Sequence, residues 1–201
     1  MTETPDPRTP WHLLHLVALD VEGNGARPPA LVEIAVVPIA GGQIGDPITW
    51  LVKPSSPITW QATRVHGITN QDVAGCAPAS AIADDVLAHL GEGAIVVAHN
   101  AHVDLDVVGR EFPGFKPAAV IDTLKLSRRL NPERPGHKLG DLIAAYDLDA
   151  DFPRKNAHRA GYDALMAARL MAHLASDVGL DSLGDLTGQV RPTPAEPDAL
   201  F

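Results

Sequence analysis

The run Leu16-Val-Ala-Leu-Asp-Val-Glu22, followed at once by Gly23-Asn24-Gly25, decides how the chain is read. An apolar run of this length, with β-branched residues and bounded by Gly and Asn, reads as a buried strand. Side chains alternate faces along a strand, so Asp20 and Glu22 point the same way at its end. Two carboxylates held that close repel unless a cation sits between them. A hard divalent cation such as Mg²⁺ takes oxygen ligands of this kind. A strand running out into a polar turn would carry the same residues, so the pair gains meaning only from the rest of the chain.

Working outward, this strand begins near Leu13, and residues 1–10, rich in Pro and Thr, read as a flexible tail. Ala30 to Ile39 reads as a second strand and Ile44 to Val52 as a third, with Gly41-Gly42 turning between them. Short connections of this kind predict an antiparallel meander. Ala94–Ala98 and Ala119–Ile121 are shorter buried strands. Helices are expected over Thr59–Val65, Pro78–Leu90, Ala101–Glu111, Asp122–Leu130 and Lys138–Tyr146, with Asp122 as an N-cap and Asn131-Pro132 as a stop. Ala160–Leu174 is the clearest helix, its Leu165, Met166, Ala168, Leu170, Met171 and Leu174 forming an apolar stripe. Gly179, Gly184 and Gly188 break the weak pattern over Ser176–Val190, where no helix is assigned, and Arg191–Phe201 reads as a Pro-rich tail. A meander followed by alternating strands and helices predicts an α/β fold, a mixed sheet with helices on both faces. The expected organisation is one domain over residues 11–176, with a flexible C-terminal extension over 177–201.

The 201 residues carry a formal charge of −9, which argues against coating nucleic acid through a broad basic face. It does not argue against gripping a chain end through metal ions. Residues 110–169 hold 11 of the 16 Lys and Arg against 8 acids, so that region is locally basic. The single cysteine, Cys76, excludes an internal disulfide and a Cys-based zinc site, and reads as a buried, inert thiol. No apolar stretch is long enough to cross a bilayer. Met1-Thr-Glu-Thr-Pro-Asp-Pro7 lacks the basic and apolar regions of a signal peptide. A cytoplasmic protein with no membrane partner is the expectation.

Two further stretches carry chemistry. In Val97-Ala-His-Asn-Ala-His-Val-Asp104 a buried strand runs into a helix, with Asn100 as the expected N-cap. Asp104 then falls in the first turn, where the helix dipole favours a charged carboxylate. His99 and His102 would suit zinc only with a third ligand at a familiar spacing, which the chain lacks. In Ala157-His-Arg-Ala-Gly-Tyr-Asp-Ala164, Asp163 sits among apolar and small residues, where a carboxylate needs a partner or a metal. His158 lies five residues earlier, about 140° around a helix, so it is expected on the loop leading in. A mobile histidine there suits taking a proton from water near neutral pH.

The order Asp-x-Glu, His-Asn-Ala-x-x-Asp, His-Arg-Ala-x-x-Asp-Ala resembles the DEDDh 3′→5′ exonucleases, typified by the proofreading epsilon subunit of bacterial DNA polymerase III. Val65-His66-Gly67-Ile68-Thr69 and His137-Lys138-Leu139 are also similar to that family. The resemblance spans Leu13 to Leu174 and implies a ribonuclease-H-like fold with a five-stranded mixed sheet. It implies that Asp20, Glu22, Asp104 and Asp163 hold two Mg²⁺ or Mn²⁺ ions and that His158 is the general base. It further implies contacts to the substrate from Gly23, His66, His99 and Asn100, and release of nucleoside 5′-monophosphates from single-stranded or frayed DNA 3′ ends in proofreading or repair. RNA trimming, and a non-catalytic role in a replication or repair assembly, are the alternatives. Three positions depart from the family. Gly23 replaces a Thr, Val103 an aromatic residue, and Val107-Val108 a Phe-Leu pair. Less aromatic surface implies a weaker grip on the bases. Ala199-Leu200-Phe201 resembles the ending of sliding-clamp-binding peptides, although Pro197 stands where Gln is usual. A polymerase or sliding clamp is therefore a conceivable partner.

Overall fold

The computed structural model describes residues 5–151 and 158–189. The clamp-like ending Ala199-Leu200-Phe201 lies outside them.

Six strands form one sheet: β1 (Leu16–Gly23), β2 (Leu31–Ala40), β3 (Gln43–Ile44), β4 (Ile48–Leu51), β5 (Ile95–Ala98) and β6 (Ala119–Asp122). Their order is β3-β2-β1-β5-β6, with β4 also paired to β2. β1 and β2 run antiparallel, whereas β5 joins β1 and β6 joins β5 in parallel. The sheet is thus mixed, as expected, but has six strands rather than five. The expected third strand, Ile44–Val52, breaks at Gly45-Asp46-Pro47. Gly45 turns its N–H back onto the Pro38 carbonyl at 2.8 Å, and Pro47 has no N–H to give a ladder. Each half then pairs separately with β2.

Among the described residues there are seven α-helices: α1 (Trp60–His66), α2 (Ala83–Leu90), α3 (His102–Glu111), α4 (Thr123–Leu130), α5 (Leu139–Tyr146), α6 (Ala160–Asp177) and α7 (Leu183–Thr187). Asp122 caps α4 as its sequence foretells, accepting from the N–H groups of Leu124 and Lys125. The helix expected over Pro78–Leu90 is a 3-10 turn, Ala79–Ala81, followed by α2.

Strand parity sorts the core. Leu16 and Ala18 of β1, with Ala35 and Val37 of β2, pack under α6 among Tyr162, Met166, Leu170 and Leu174. Val17 and Leu19, with Ile34 and Val36, pack on the other face under Val86 of α2 and Val108 and Phe112 of α3. Period-2 alternation along β1 therefore carries Asp20 and Glu22 to the α6 side.

The core continues past the expected boundary at residue 176, which falls inside α6. Leu180, Leu183 and Leu186 are buried in the α6-side cluster. Ser182 and Asp185 form a capping box that starts α7 despite the flanking glycines. Residues expected in the N-terminal tail lace onto this segment. Trp11 N–H donates to Asp181 O (2.8 Å), Leu183 N–H to Thr9 O (3.0 Å) and Gly184 N–H to Pro7 O (2.6 Å). Cys76 is half-exposed rather than buried, against a small cluster of Val32, Ile58, Ile68 and Val73. Among the described residues no helix is long and apolar enough to cross a membrane.

Candidate active site

Asp20 and Glu22 end β1 on its α6 face, and the first turn of α6 brings Asp163 over them. One carboxylate oxygen from each of the three lies within 4.8 Å of the others. Among the described residues this is the one group of three or more His, Cys, Asp or Glu side chains placed to hold a metal ion. Asp104, in the first turn of α3, arrives from the opposite face. It is 5% exposed, and its Oδ1 accepts the Val21 N–H at 3.2 Å. The sequence predicted four acids around one point, and the structure puts three in a cluster with the fourth locked to the backbone between two of them. The site lies at the end of β1, in the middle of the sheet.

Proton affinities report how crowded this charge is. Burial pushes the Asp20 carboxyl well above its ordinary value, and Asp104, Asp163, Glu22 and Glu33 push the same way. Burial followed by Asp163 and Glu33 raises Glu22 to about 8. Asp104 is raised by burial against the opposing pull of the Val21 amide. Asp163 rises to about 6, again through burial, although His158 and its backbone N–H pull it down. Carboxylates this buried and this close are short of positive charge. A hard cation supplies it through oxygen ligands, so the donor set fits a divalent metal.

His158 sits in the turn before α6 at φ 60°, a left-handed conformation, with its side chain exposed. Its Nδ1 is 4.0 Å from Asp163 Oδ2. This is the expected place, off the helix and beside the cluster. A cavity of about 150 Å³ lined by His158, Asp163, Leu139 and Ile143 opens here. Leu139 also lines a separate groove of about 580 Å³, together with His99, Asn100, Arg128, His137 and Lys138.

The other expected contact residues differ in what their side chains are free to do. His66 is 4% exposed. Its Nδ1 accepts the Ile68 N–H at 3.0 Å, which leaves Nε2 as the protonated nitrogen, 3.3 Å from the Gly23 carbonyl. Burial lowers its pKa, consistent with a neutral ring. His66 therefore holds Gly23, the residue that follows Glu22. His99 is similarly tied, with Nδ1 2.9 Å from Thr123 Oγ1 and a backbone contact to His137. Asn100 is not the N-cap of α3. It takes a left-handed φ of 68°, its N–H donates to Asp122 Oδ1 at 3.1 Å, and Ala101 occupies the cap position. Asn tolerates that conformation better than most residues. Val103 is exposed, but Val107 and Val108 are buried under the sheet, so that departure is a matter of core packing and not of base contact.

Three residues of the site were not singled out from sequence. Glu33, on β2 directly opposite Glu22, is 2% exposed. It accepts Arg159 Nε (3.0 Å) and Nη2 (2.5 Å) and the Ala160 N–H (2.9 Å). Asn24, fully buried, shapes the loop after Glu22. Its Oδ1 accepts from Ala26 and Ala30 N–H, its Nδ2 donates to Ser56, and its carbonyl accepts Thr59 N–H. The signal for Glu33 was visible, since a lone acid in the apolar run of β2 needs a partner. Its partner lies 126 residues away.

Comparison with known proteins follows the same lines. Residues 17–171 match the RNase_T family model, described as exonuclease. The chain is 35% identical over 176 residues to exodeoxyribonuclease 10 of Escherichia coli K12, covering 85% of this chain and 74% of that protein. It is 37% identical over 155 residues to the 3′-5′ exonuclease DinG of Bacillus subtilis, covering 74% of this chain and 16% of DinG. It is 33% identical over 198 residues to a DNA polymerase III subunit epsilon-like protein of Rhodobacter capsulatus, covering 91% of this chain and 27% of that protein. The chain thus spans about a quarter or less of the length of the latter two relatives. Among solved structures, exonuclease X in complex with 5′ overhanging duplex DNA superposes with a TM-score of 0.72 at 29% identity, covering 86% of this chain and 98% of that one. Exonuclease I of E. coli with a dA16 oligonucleotide shares the fold, with a TM-score of 0.66 at 18% identity over 81% of this chain and 41% of that one.

Proposed function

This chain belongs to the RNase_T exonuclease family, and on that premise we propose that it is a metal-dependent 3′→5′ exonuclease. Its substrate is a single-stranded or frayed DNA end, and its product a nucleoside 5′-monophosphate. The observation that carries this reading is the convergence of Asp20, Glu22 and Asp163 within 4.8 Å, with exposed His158 4.0 Å from Asp163. DNA is favoured over RNA because exodeoxyribonuclease 10, 35% identical to this chain, is named for DNA and exonuclease X was solved with duplex DNA. Proofreading or repair is the matching role, from the likeness to an epsilon-like protein.

Asp20, Glu22, Asp163 and Asp104 would hold the metal, as two Mg²⁺ or Mn²⁺ ions. Bound there, the ions would supply charge stabilisation and activation of water for an in-line displacement at phosphorus. His158, outside the packed helix and next to Asp163, takes the proton from the attacking water. Gly23 offers backbone groups to the terminal nucleotide, and His66 fixes their direction. Asn100 presents its side chain to the groove that His99 backs, and Arg128 and Lys138 on its wall suit strand phosphates. On the other side of the β1 exit, Trp60 is 61% exposed with the Arg64 guanidinium 5.1 Å from its ring centroid. Its helix is tied to Asn24 through Thr59 and to Gly23 through His66. An exposed indole there suits base stacking.

The test is an oligonucleotide assay with 5′-labelled single-stranded DNA, mismatched duplex DNA and RNA, each with Mg²⁺, Mn²⁺ or EDTA. A metal-dependent ladder that shortens from the 3′ end, fastest on DNA, is expected. A faster ladder on RNA would make the chain an RNA-trimming enzyme. No ladder on any strand would favour a non-catalytic interaction module.

A further inference from the structure

We propose that the Glu33–Arg159 pair is a positioning device that sets Asp163 and His158 against Asp20 and Glu22. This inference rests on the exonuclease reading only for what it says about turnover.

Glu33 stands directly across the β1–β2 ladder from Glu22. Like charges in that relation are destabilising, and a buried carboxylate without a partner is costly. Arg159 resolves both problems with one side chain. Its Nε and Nη2 take both oxygens of Glu33 in a fork, the geometry that Arg alone offers. Glu33 is thereby spent on Arg159 and on a backbone amide, so a fifth acid beside the cluster does not compete for the metal.

The second consequence is mechanical. Oε2 of Glu33 also accepts the N–H of Ala160, the first residue of α6. An N-terminal helix amide of this kind otherwise lacks an intrahelical partner. Arg159, the N-cap of α6, has no side-chain capping bond of its own. Glu33 is thus the cap, supplied from the sheet. It pins the first turn of α6, and with it Asp163 three residues on, to the strand beside β1. Arg159 is also the residue after His158, whose left-handed turn it anchors from the C-terminal side. One carboxylate on β2 thus fixes both the metal-facing acid and the proposed base. Residues that orient metal ligands in this way typically change affinity or activity 10–100-fold when removed.

The experiment compares the wild-type chain with Glu33→Gln, Arg159→Ala, Arg159→Lys and the double variant Glu33→Gln/Arg159→Gln. Binding of Mn²⁺ alone is measured by calorimetry, amide exchange at Ala160 by NMR, kcat and KM on single-stranded DNA, and the urea midpoint. Arg159→Ala and Glu33→Gln should weaken Mn²⁺ binding about 10-fold or more and speed exchange at Ala160. They should lower kcat 10–100-fold with KM within about twofold. Arg159→Lys should recover part of kcat, and the double variant, free of an unpaired buried charge, should fold while still binding Mn²⁺ weakly. Wild-type Mn²⁺ affinity and kcat in the folded variants, with only a lower urea midpoint, would overturn the proposal and leave the pair as a plain brace. An inactive wild-type chain whose Mn²⁺ affinity still falls with these variants would instead sink the exonuclease reading and keep the positioning role.

Discussion

Glu22→Gln is expected to make the metal-free protein more stable while weakening its response to metal. In the folded chain the Glu22 carboxyl is pushed up from its ordinary value of 4.5 to about 8, first by burial and then by Asp163 and Glu33. A carboxyl whose folded pKa is raised binds protons more tightly when folded. Its burden on stability is absent below the unfolded pKa and grows as pH rises, reaching its full size above the folded pKa. One pKa unit corresponds to about 1.4 kcal/mol. At pH 7.5, just below that value, the folded carboxyl is mostly protonated while the unfolded one is ionised, so folding must take up a proton at a cost on the order of 4 kcal/mol. Gln removes the charge but buries an amide that needs partners, which offsets part of the gain. The expected net stabilisation in EDTA is about 1–4 kcal/mol at pH 7.5, shrinking towards zero at pH 4.5. Urea unfolding at both pH values, in EDTA and in excess Mg²⁺, reads this directly. The wild type should gain stability with Mg²⁺ and the variant should gain much less. A variant less stable than wild type in EDTA at pH 7.5, with an undiminished Mg²⁺ response, would refute the account of the cluster as charge waiting for a cation.

If the proposed metal site is right, Asp20→Asn, which removes one of its carboxylate oxygens, should lower kcat by at least about 10³-fold without loss of fold, checked by gel assay and circular dichroism. His158→Ala should lower kcat about 10²–10⁴-fold, the usual contribution of general acid–base groups. Its urea midpoint should not move, because the side chain is exposed. Trp60→Ala should weaken binding of single-stranded DNA by about 1–3 kcal/mol, the range for one stacked base, read by anisotropy in Ca²⁺. Ser182→Ala should cost about 1 kcal/mol through its cap to Asp185, measured by urea unfolding, if α7 belongs to the packed domain.

The sequence carried the site because its grammar is local. Alternation along Leu16–Glu22 put two acids on one face without reference to any other part of the chain, and the helical stripe of Ala160–Leu174 marked the element that covers them. The same logic misjudged Asn100, since an N-cap and a left-handed residue before a cap share the same composition, and only the Asp122 carboxylate tells them apart. It also assigned Val107-Val108 to the substrate side, although a helix face is set by what it packs against. The segment after residue 176 looked unstructured because three glycines outweigh a short stripe. Its leucines count only once α6 and β6 offer a surface to bury them.

Sequence by itself thus determined the strand parity and the long helix, because each depends on neighbours within a few residues, while the set of four acids came from the resemblance of its motifs to a family. Tertiary structure alone decided which of those acids meet, with Asp163 brought to Asp20 and Glu22 by α6 and Asp104 locked to Val21 across 83 positions. It also decided that Glu33, an acid in an apolar strand, is answered by Arg159. No local pattern encodes such pairings, because register and helix placement are set by the whole core at once, and a buried charge is satisfied by whichever partner that packing delivers.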